Sequence, residues 1–123
     1  MKRILIVDDA ATVRMYHRGI LESAGYKVEE AWNGIEGLEK TLEAPFDLYI
    51  VDVNMPKLDG YAFLRELRQQ DGPQQPAIMI STEDAARDEM VAYQAGANSY
   101  LIKPVRPAQL LAHLRLMLGE AIR

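Results

Sequence analysis

The chain has 123 residues, 49% of them hydrophobic and 26% charged, which is typical of one globular domain. Its net charge of −4, without a basic run, argues against nucleic-acid binding, and the absence of cysteine excludes disulfides and thiolate metal sites. The apolar run near the N-terminus is too short for a signal peptide or a membrane span. We therefore expect a single cytoplasmic domain over residues 1–123, with no membrane partner.

Five short runs predict strands, and each is followed by a helical pattern. Most of the runs are rich in β-branched residues and lack polar alternation, as is typical of parallel strands covered on both faces. The second run does alternate, which favours an edge position. The five runs are Ile4–Val7, Lys27–Ala31, Leu48–Val53, Ala77–Ile80 and Tyr100–Ile102.

Capping and breaking residues mark the expected helix ends. They are Gly25 after the first helix, Asn33, Asp59 and Asp84 before the next three, and Pro107 in the first turn of the last. Side chains at helical spacing are also expected in the second and fourth helices. The second helix offers Leu38 and Leu42, and the fourth offers Met90, Val91 and Gln94.

Strands alternating with helices predict an α/β fold, a doubly wound parallel sheet with helices on both faces and right-handed crossovers. In such sheets, ligands bind beyond the carboxyl ends of the strands, near the point where the strand order reverses. The residues that follow each run are therefore the candidates for a functional site.

Three carboxylates, a hydroxyl and an ammonium fall at these strand ends: Asp8, Asp9, Asp52, Ser81 and Lys103. Two carboxylates about 5 Å apart repel by roughly 3 kcal/mol at an effective dielectric of 20, so the cluster needs a cation. An oxygen-only site suits Mg²⁺, with Mn²⁺ or Ca²⁺ as alternatives. Mg²⁺ often shares its site with a phosphate, whose other oxygens the lysine and serine could bind.

Each of these residues also has a purely structural interpretation. Asp8 and Asp9 could cap the first helix, although one aspartate would suffice. Asp52 could be a solvated acid at a strand end, but a charge within an apolar strand is costly unless it is paired. Ser81 and Lys103 are each unremarkable alone, and only their joint placement favours a site.

With these residues in place, the chain resembles the CheY-like receiver domains of bacterial two-component signalling over essentially its whole length. The strand order 2-1-3-4-5 is that family's own and is expected here from the resemblance. The matching segments are Ile4–Asp9, Asp52–Pro56 with Asp59–Gly60, Ser81, Gln94–Ala97 and Tyr100–Pro104.

The resemblance implies a role for each matching residue. Asp52 would accept a phosphoryl group from a phosphohistidine and would also ligate Mg²⁺. Asp9 would ligate Mg²⁺ directly, Asp8 mainly through water, and Asn54 through its backbone carbonyl. Lys103 would contact a phosphoryl oxygen. The peptide bond that follows this lysine is similar to one that the family holds in the cis form.

The resemblance also implies a switch. The Ser81 hydroxyl would be drawn to the phosphoryl group, Tyr100 would turn inward, and the surface of the fourth helix, fifth strand and fifth helix would be remodelled. Ser81 stands where threonine is commoner in the family, which keeps the hydroxyl. Val105 stands where phenylalanine often follows the Lys-Pro pair, so a smaller side chain is expected to pack under the fifth helix.

Three residues are expected to set the lifetime of the phosphorylated state. Asn54 and Glu83 flank the route of an attacking water, and polar groups there would orient it. Thr82 stands where the family commonly has alanine or glycine, and its bulk would narrow the same route. Both polar residues could instead be loop residues that serve solubility.

The implied partners are a sensor histidine kinase or phosphotransfer protein and a downstream protein, in chemotaxis or another pathway. We expect a monomer, with a phosphorylation-dependent dimer as an alternative. We expect no effector domain beyond the fifth helix, so output would pass through a separate protein.

Three rival classes fit less well. A phosphatase of the haloacid dehalogenase type needs a D-x-D motif, whereas Asp8 and Asp9 are adjacent. A flavodoxin-like FMN carrier needs a hydroxyl- and glycine-rich phosphate loop after the first strand. A pseudo-receiver used only for binding would lack one of the acidic residues. We therefore expect a signalling domain and not an enzyme.

Overall fold

The computed structural model describes residues 2–82 and 86–120 and shows a five-stranded parallel sheet in the order β2-β1-β3-β4-β5. This confirms the α/β fold and the strand order expected from the resemblance. The strands are β1 (Arg3–Val7), β2 (Lys27–Ala31), β3 (Leu48–Asp52), β4 (Ala77–Ser81) and β5 (Ser99–Ile102). The helices are α1 (Ala11–Ser23), α2 (Gly34–Glu43), α3 (Gly60–Arg68), α4 (Ala86–Ala95) and α5 (Pro107–Met117).

Each face of the sheet carries its own hydrophobic core, because successive strand residues point to opposite faces. On one face Val51 of β3 packs in a cluster with Phe63 of α3. On the other, Ile50 packs in a cluster with Leu21 of α1 and Leu110 of α5. The strands are therefore covered on both sides, as their continuous apolar sequences predict.

Local sequence signals account for most of the helix ends. Asn33 accepts a hydrogen bond from the Glu36 N–H at 2.9 Å, and Asp59 accepts one from the Ala62 N–H at 2.8 Å. Gly25 has a φ of +93°, which ends α1 without the strain that another residue would meet. These caps confirm the predicted boundaries, whereas Asp84 lies outside the described residues.

Two apolar assignments from the sequence are wrong. Leu42 of α2 is 75% exposed, and Met90 of α4 is 59% exposed. The inner face of α4 is formed instead by Ala92 and Ala95, which are buried. Alanine side chains contribute little to a hydrophobic pattern, so the larger Met90, which lies on the outer face, determined the predicted inner face.

The part of the chain that the structure describes contains no helix long and apolar enough to span a bilayer.

Candidate functional site

The register of the sheet brings the polar strand ends together. Val7 pairs with Val51 and Asp52 pairs with Ile80, so the residues after β1 lie beside the end of β3. Ser81, the last residue of β4, pairs with Ile102, which immediately precedes Lys103. Four neighbouring strands, β1, β3, β4 and β5, therefore place their carboxyl ends together, as the parallel arrangement requires.

The carboxylates of Asp8, Asp9 and Asp52 form one cluster, with one oxygen of each lying within 4.8 Å of the others. Asp8 and Asp52 are 3% and 7% exposed, whereas Asp9 is open to solvent. The donors are oxygens alone, and with Lys103 counted the cluster keeps two negative charges. This donor set fits a hard divalent cation, and Mg²⁺ characteristically binds to one or two carboxylates and water.

Lys103 links the two buried carboxylates. Its Nζ donates to Asp52 Oδ1 at 2.8 Å and to Asp8 Oδ2 at 3.3 Å. Burial lowers the pKa of Lys103, but the hydrogen bond to Asp52 and the charge of Asp8 outweigh burial, so the pKa lies above its ordinary value. The backbone N–H of Lys103 donates to the Ser81 carbonyl at 2.7 Å, which fixes the start of the loop that carries the ammonium.

At Asp52, in contrast, the effect of burial on the pKa outweighs the effect of the same ion pair. Burial raises the pKa of Asp52, the hydrogen bond from Lys103 opposes the rise, and the charge of Asp8 adds to it. The net pKa of Asp52 lies above its ordinary value of 3.8. Asp52 is therefore a buried acid whose charge the structure compensates only in part.

Asp8 is held at several points and is not simply a helix cap. The N-cap residue of α1 is Ala10, whose side chain makes no capping bond. Asp8 Oδ1 accepts the Ala10 N–H at 2.9 Å, while its other oxygen faces Lys103. The interpretation of the acid pair as a cap therefore explains one carboxylate oxygen and leaves Asp9 without a role.

The loop after Asp52 is shaped by a close approach of α3. The Gly60 N–H donates to the Val53 carbonyl at 2.8 Å. A Cβ at Gly60 would lie 2.2 Å from the Asp52 carbonyl oxygen, closer than real contacts allow. Glycine at this position therefore lets the helix reach the backbone of the acid at the strand end.

The residues expected to form the switch are both buried, Ser81 at 1% exposure and Tyr100 at 9%. Tyr100 lies in the hydrophobic core that contains Ala92 and Ala95 of α4, so the fold already accommodates an inward tyrosine. The Lys103-Pro104 peptide bond is cis, as the resemblance implies.

Of the three residues expected to affect lifetime, two are exposed: Asn54, two residues after Asp52, and Thr82, directly after Ser81. Glu83 lies outside the described residues.

One buried residue at this edge was missed by the sequence analysis. Arg14 of α1 is 8% exposed, and its Nη1 donates to the Asp8 carbonyl at 2.6 Å. Its Nε donates to Glu30 Oε1 on β2 at 2.8 Å. The sequence signal that could have identified Arg14 is its position, a cation on the buried face of α1 about one turn after the acid pair. That face also carries His17, which is 2% exposed.

Comparison with known proteins gives a consistent result. The family described as Response regulator receiver domain matches residues 4–115. The transcriptional regulatory protein ResD of Bacillus subtilis is 34% identical over 97% of this chain and 49% of its own length. PcoR of Escherichia coli, also a transcriptional regulatory protein, is 37% identical over 98% and 53%. The chain thus spans about half the length of these curated relatives.

Solved structures show the same similarity. Chemotaxis protein CheY4 of Vibrio cholerae has a TM-score of 0.91 and 37% identity, with 96% of this chain and 99% of that chain covered. The receiver domain of the sensor histidine kinase PA1611 of Pseudomonas aeruginosa has a TM-score of 0.89 and 32% identity, covering 97% and 98%. That structure is described with a magnesium ion coordinated in its active-site cleft.

Proposed function

The chain belongs to the response regulator receiver domain family, and we propose that its Asp52 accepts a phosphoryl group in a Mg²⁺-dependent reaction. The donor would be a sensor histidine kinase or a phosphotransfer protein. The observation that carries the proposal is that an acid cluster and a lysine meet at the carboxyl ends of the strands. Asp52 lies with Asp8 and Asp9 within 4.8 Å and accepts a hydrogen bond from Lys103 at 2.8 Å.

In the proposed transfer, an oxygen of the Asp52 carboxylate attacks the phosphorus of the donor phosphohistidine. A carboxylate O–P bond forms, the N–P bond breaks, and its electron pair stays on the imidazole of the donor. Lys103 already donates to the attacking carboxylate, and it would next donate to an oxygen of the transferred group. Its raised pKa keeps the ammonium charged throughout the physiological range.

Asp8 and Asp9, with the backbone carbonyl of Asn54, would hold Mg²⁺ beside Asp52. The bound ion would supply neutralisation of the charge on the transferred group and on the acid cluster. The three carboxylates support this assignment because Lys103 balances only one of their charges.

The output proposed for this chain is a change at the surface formed by α4, β5 and α5. Ser81 would be drawn toward the phosphoryl group, and the inward position of Tyr100 would then be stabilised. These residues support the proposal because Ser81 is buried at the end of β4, and Tyr100 of β5 is buried in the same core cluster as Ala92 and Ala95 of α4.

The pathway of the output is a separate proposal. The similarity to CheY4, which covers 99% of that chain, supports control of a separate protein, as in chemotaxis. The names of the curated relatives favour transcriptional control through a longer protein. In both cases, we propose a cytoplasmic domain that does not itself contact nucleic acid, because its net charge is −4 and it has no basic run.

The assignment of Asp52 is tested by incubating the protein with acetyl phosphate and Mg²⁺ and measuring its mass. One added phosphoryl group is expected in the wild type and in the control variant Asp71→Asn, an exposed acid between α3 and β4. No addition is expected in Asp52→Asn. Full labelling of Asp52→Asn would contradict the proposal, and catalytic release of phosphate from unrelated phosphate esters would favour the phosphatase alternative.

A further inference from the structure

We propose that Arg14 is a positioning residue for the metal site, which sets the direction of the Asp9 carboxylate by holding the peptide that precedes it. This inference rests on the proposed function, because it concerns how tightly the acid pair binds Mg²⁺. Arg14 belongs to α1 and contacts the backbone of Asp8 and not its carboxylate, so it would act without touching the ion.

The guanidinium of Arg14 spans two elements with two hydrogen bonds. Nη1 donates to the Asp8 carbonyl at 2.6 Å, and Nε donates to Glu30 Oε1 at 2.8 Å. A guanidinium holds its donors in one rigid plane, so fixing Nε on β2 also fixes the direction from which Nη1 meets the carbonyl. Lysine, with a single nitrogen on a flexible stem, offers no such fork.

Holding this carbonyl constrains Asp9 directly. The Asp8 carbonyl and the Asp9 nitrogen belong to one planar peptide unit, so a turned carbonyl would turn the start of Asp9 as well. The Asp8 N–H donates to the Ala31 carbonyl at 3.1 Å, which holds the other side of the residue. Asp9 is exposed and gains no comparable burial of its own, so its direction depends on the peptide before it.

The groups around Arg14 offset its positive charge. Its main effect on Mg²⁺ binding is therefore expected to be the orientation of Asp9 and not repulsion of the cation. Glu30 pairs with Arg14 at 2.8 Å and shares its other oxygen with Arg18 at 2.5 Å. Arg18 is also paired with Glu22 at 3.1 Å, so two carboxylates balance the two guanidinium groups. The Trp32 ring lies 6.0 Å from the Arg14 guanidinium carbon and flanks it further. The alternative is that Arg14 only ties α1 to β2, which would affect the stability of the fold but not the affinity for Mg²⁺.

The test compares Arg14→Lys with Arg18→Lys by titration calorimetry with Mg²⁺ and by thermal unfolding without metal. Arg18 shares Glu30 but makes no contact with Asp8, so its variant is the matched control. We expect the Kd for Mg²⁺ to rise about tenfold in Arg14→Lys, since loss of an outer-shell partner typically weakens metal binding by 10- to 100-fold. The Kd of Arg18→Lys should stay within about twofold of the wild type.

A lowered Tm with an unchanged Kd in Arg14→Lys would overturn the inference and leave the proposed function intact. Wild-type protein that does not bind Mg²⁺ would contradict both. If Arg14→Lys does not fold, Glu30→Ala decides the question, because it leaves Arg14 in place and removes its anchor. A Kd equal to that of the wild type in Glu30→Ala would then overturn the inference.

Discussion

Lys103 lies between the two buried carboxylates, with its Nζ 2.8 Å from Asp52 and 3.3 Å from Asp8. At an effective dielectric of 20, the attraction to Asp52 is about 6 kcal/mol, and the repulsion from the buried Asp8 near 5 Å is about 3 kcal/mol. The repulsion from Asp9 is smaller, because Asp9 is exposed and water screens its charge. The two carboxylates therefore offset a large part of the attraction of the ammonium at Asp52. Burial then decides the balance, which is why the pKa of Asp52 is raised although it is paired with a lysine.

The first prediction is that Asp52→Asn stabilises the metal-free protein at pH 8. Asparagine keeps a carbonyl oxygen for Lys103 and removes the charge that burial disfavours. We expect a gain of about 1 kcal/mol, which is roughly 3–5 °C in Tm for a domain of this size. Thermal unfolding in the presence of a chelator measures it, and Asp71→Asn is the control for loss of an exposed acid.

The pH dependence of this gain follows from the direction of the pKa shift. An acid whose folded pKa is raised destabilises the fold when it is ionised, and the penalty disappears as the pH falls through the raised pKa. The gain from Asp52→Asn should therefore be largest at high pH and absent below the ordinary value of 3.8. A gain that grows toward low pH would contradict the assignment of burial as the main cause.

The second prediction is that Mg²⁺ stabilises the wild-type protein before any phosphorylation. A ligand specific for the folded state adds about 2.7 kcal/mol at one hundred times its Kd. Asp9→Ala should abolish this response and should raise the metal-free Tm, because it removes one of three clustered charges. A Tm that does not change with saturating Mg²⁺ in the wild type would contradict the metal site.

The fold and the placement of the acid cluster could be predicted because they depend on local, repeated signals. Apolar runs set the strands, and a parallel sheet necessarily brings residues such as Asp8 and Asp52 to one edge. The cap residues Asn33 and Asp59 mark helix starts by a local hydrogen bond that the sequence alone specifies.

The contacts between elements could not be predicted in the same way. The bond from Arg14 to the Asp8 carbonyl depends on the rotation of α1 over the sheet, which periodicity fixes only to within one face. The inner face of α4 is built from Ala92 and Ala95, whose small side chains give little hydrophobic signal. The cis bond at Lys103 was expected from the resemblance alone, since any residue before proline could take either form.

The third prediction concerns the approach of α3 to Asp52. In Gly60→Ala, the new methyl group would meet the Asp52 carbonyl oxygen at 2.2 Å, and backbone atoms cannot move aside cheaply. We expect a loss of about 2–3 kcal/mol, typical of overpacking, and slower labelling by acetyl phosphate because the Asp52 backbone is displaced. Chemical denaturation and the labelling rate measure the two effects.

Gly19→Ala is the matched control for this prediction. Gly19 lies within α1 with nothing within 4 Å of its added Cβ. Alanine there should stabilise the protein by about 0.5–1 kcal/mol, because it reduces the freedom of the unfolded chain. Equal changes in stability and labelling rate from the two substitutions would contradict the prediction, because the close contact of Gly60 with the Asp52 carbonyl would then add no cost.

The fourth prediction is that the phosphorylated state lasts seconds to minutes. Asn54 lies two residues beyond Asp52 and is exposed, and Thr82, also exposed, directly follows the buried Ser81. An exposed amide beside the phosphorylated residue can orient an attacking water, whereas a bulky apolar group would exclude it. The side chain of Thr82 is expected to narrow the same approach, so the two residues would have opposite effects on hydrolysis. We expect the orientation of water to be the larger effect.

The test is the rate at which the purified phosphorylated protein loses its phosphoryl group without partner proteins, measured in the wild type and three variants. Relative to the wild type, Asn54→Met and Glu83→Tyr should decay more slowly, because each replaces a polar group with a bulkier one. Thr82→Ala should decay faster, because it opens the route without adding a polar group. The melting temperature of each unphosphorylated variant serves as the control, since exposed substitutions at Asn54 and Thr82 should change it little. Wild-type decay rates in both Asn54→Met and Glu83→Tyr would show that this pair does not position the water, and the lifetime would then depend on the cluster around Lys103 itself.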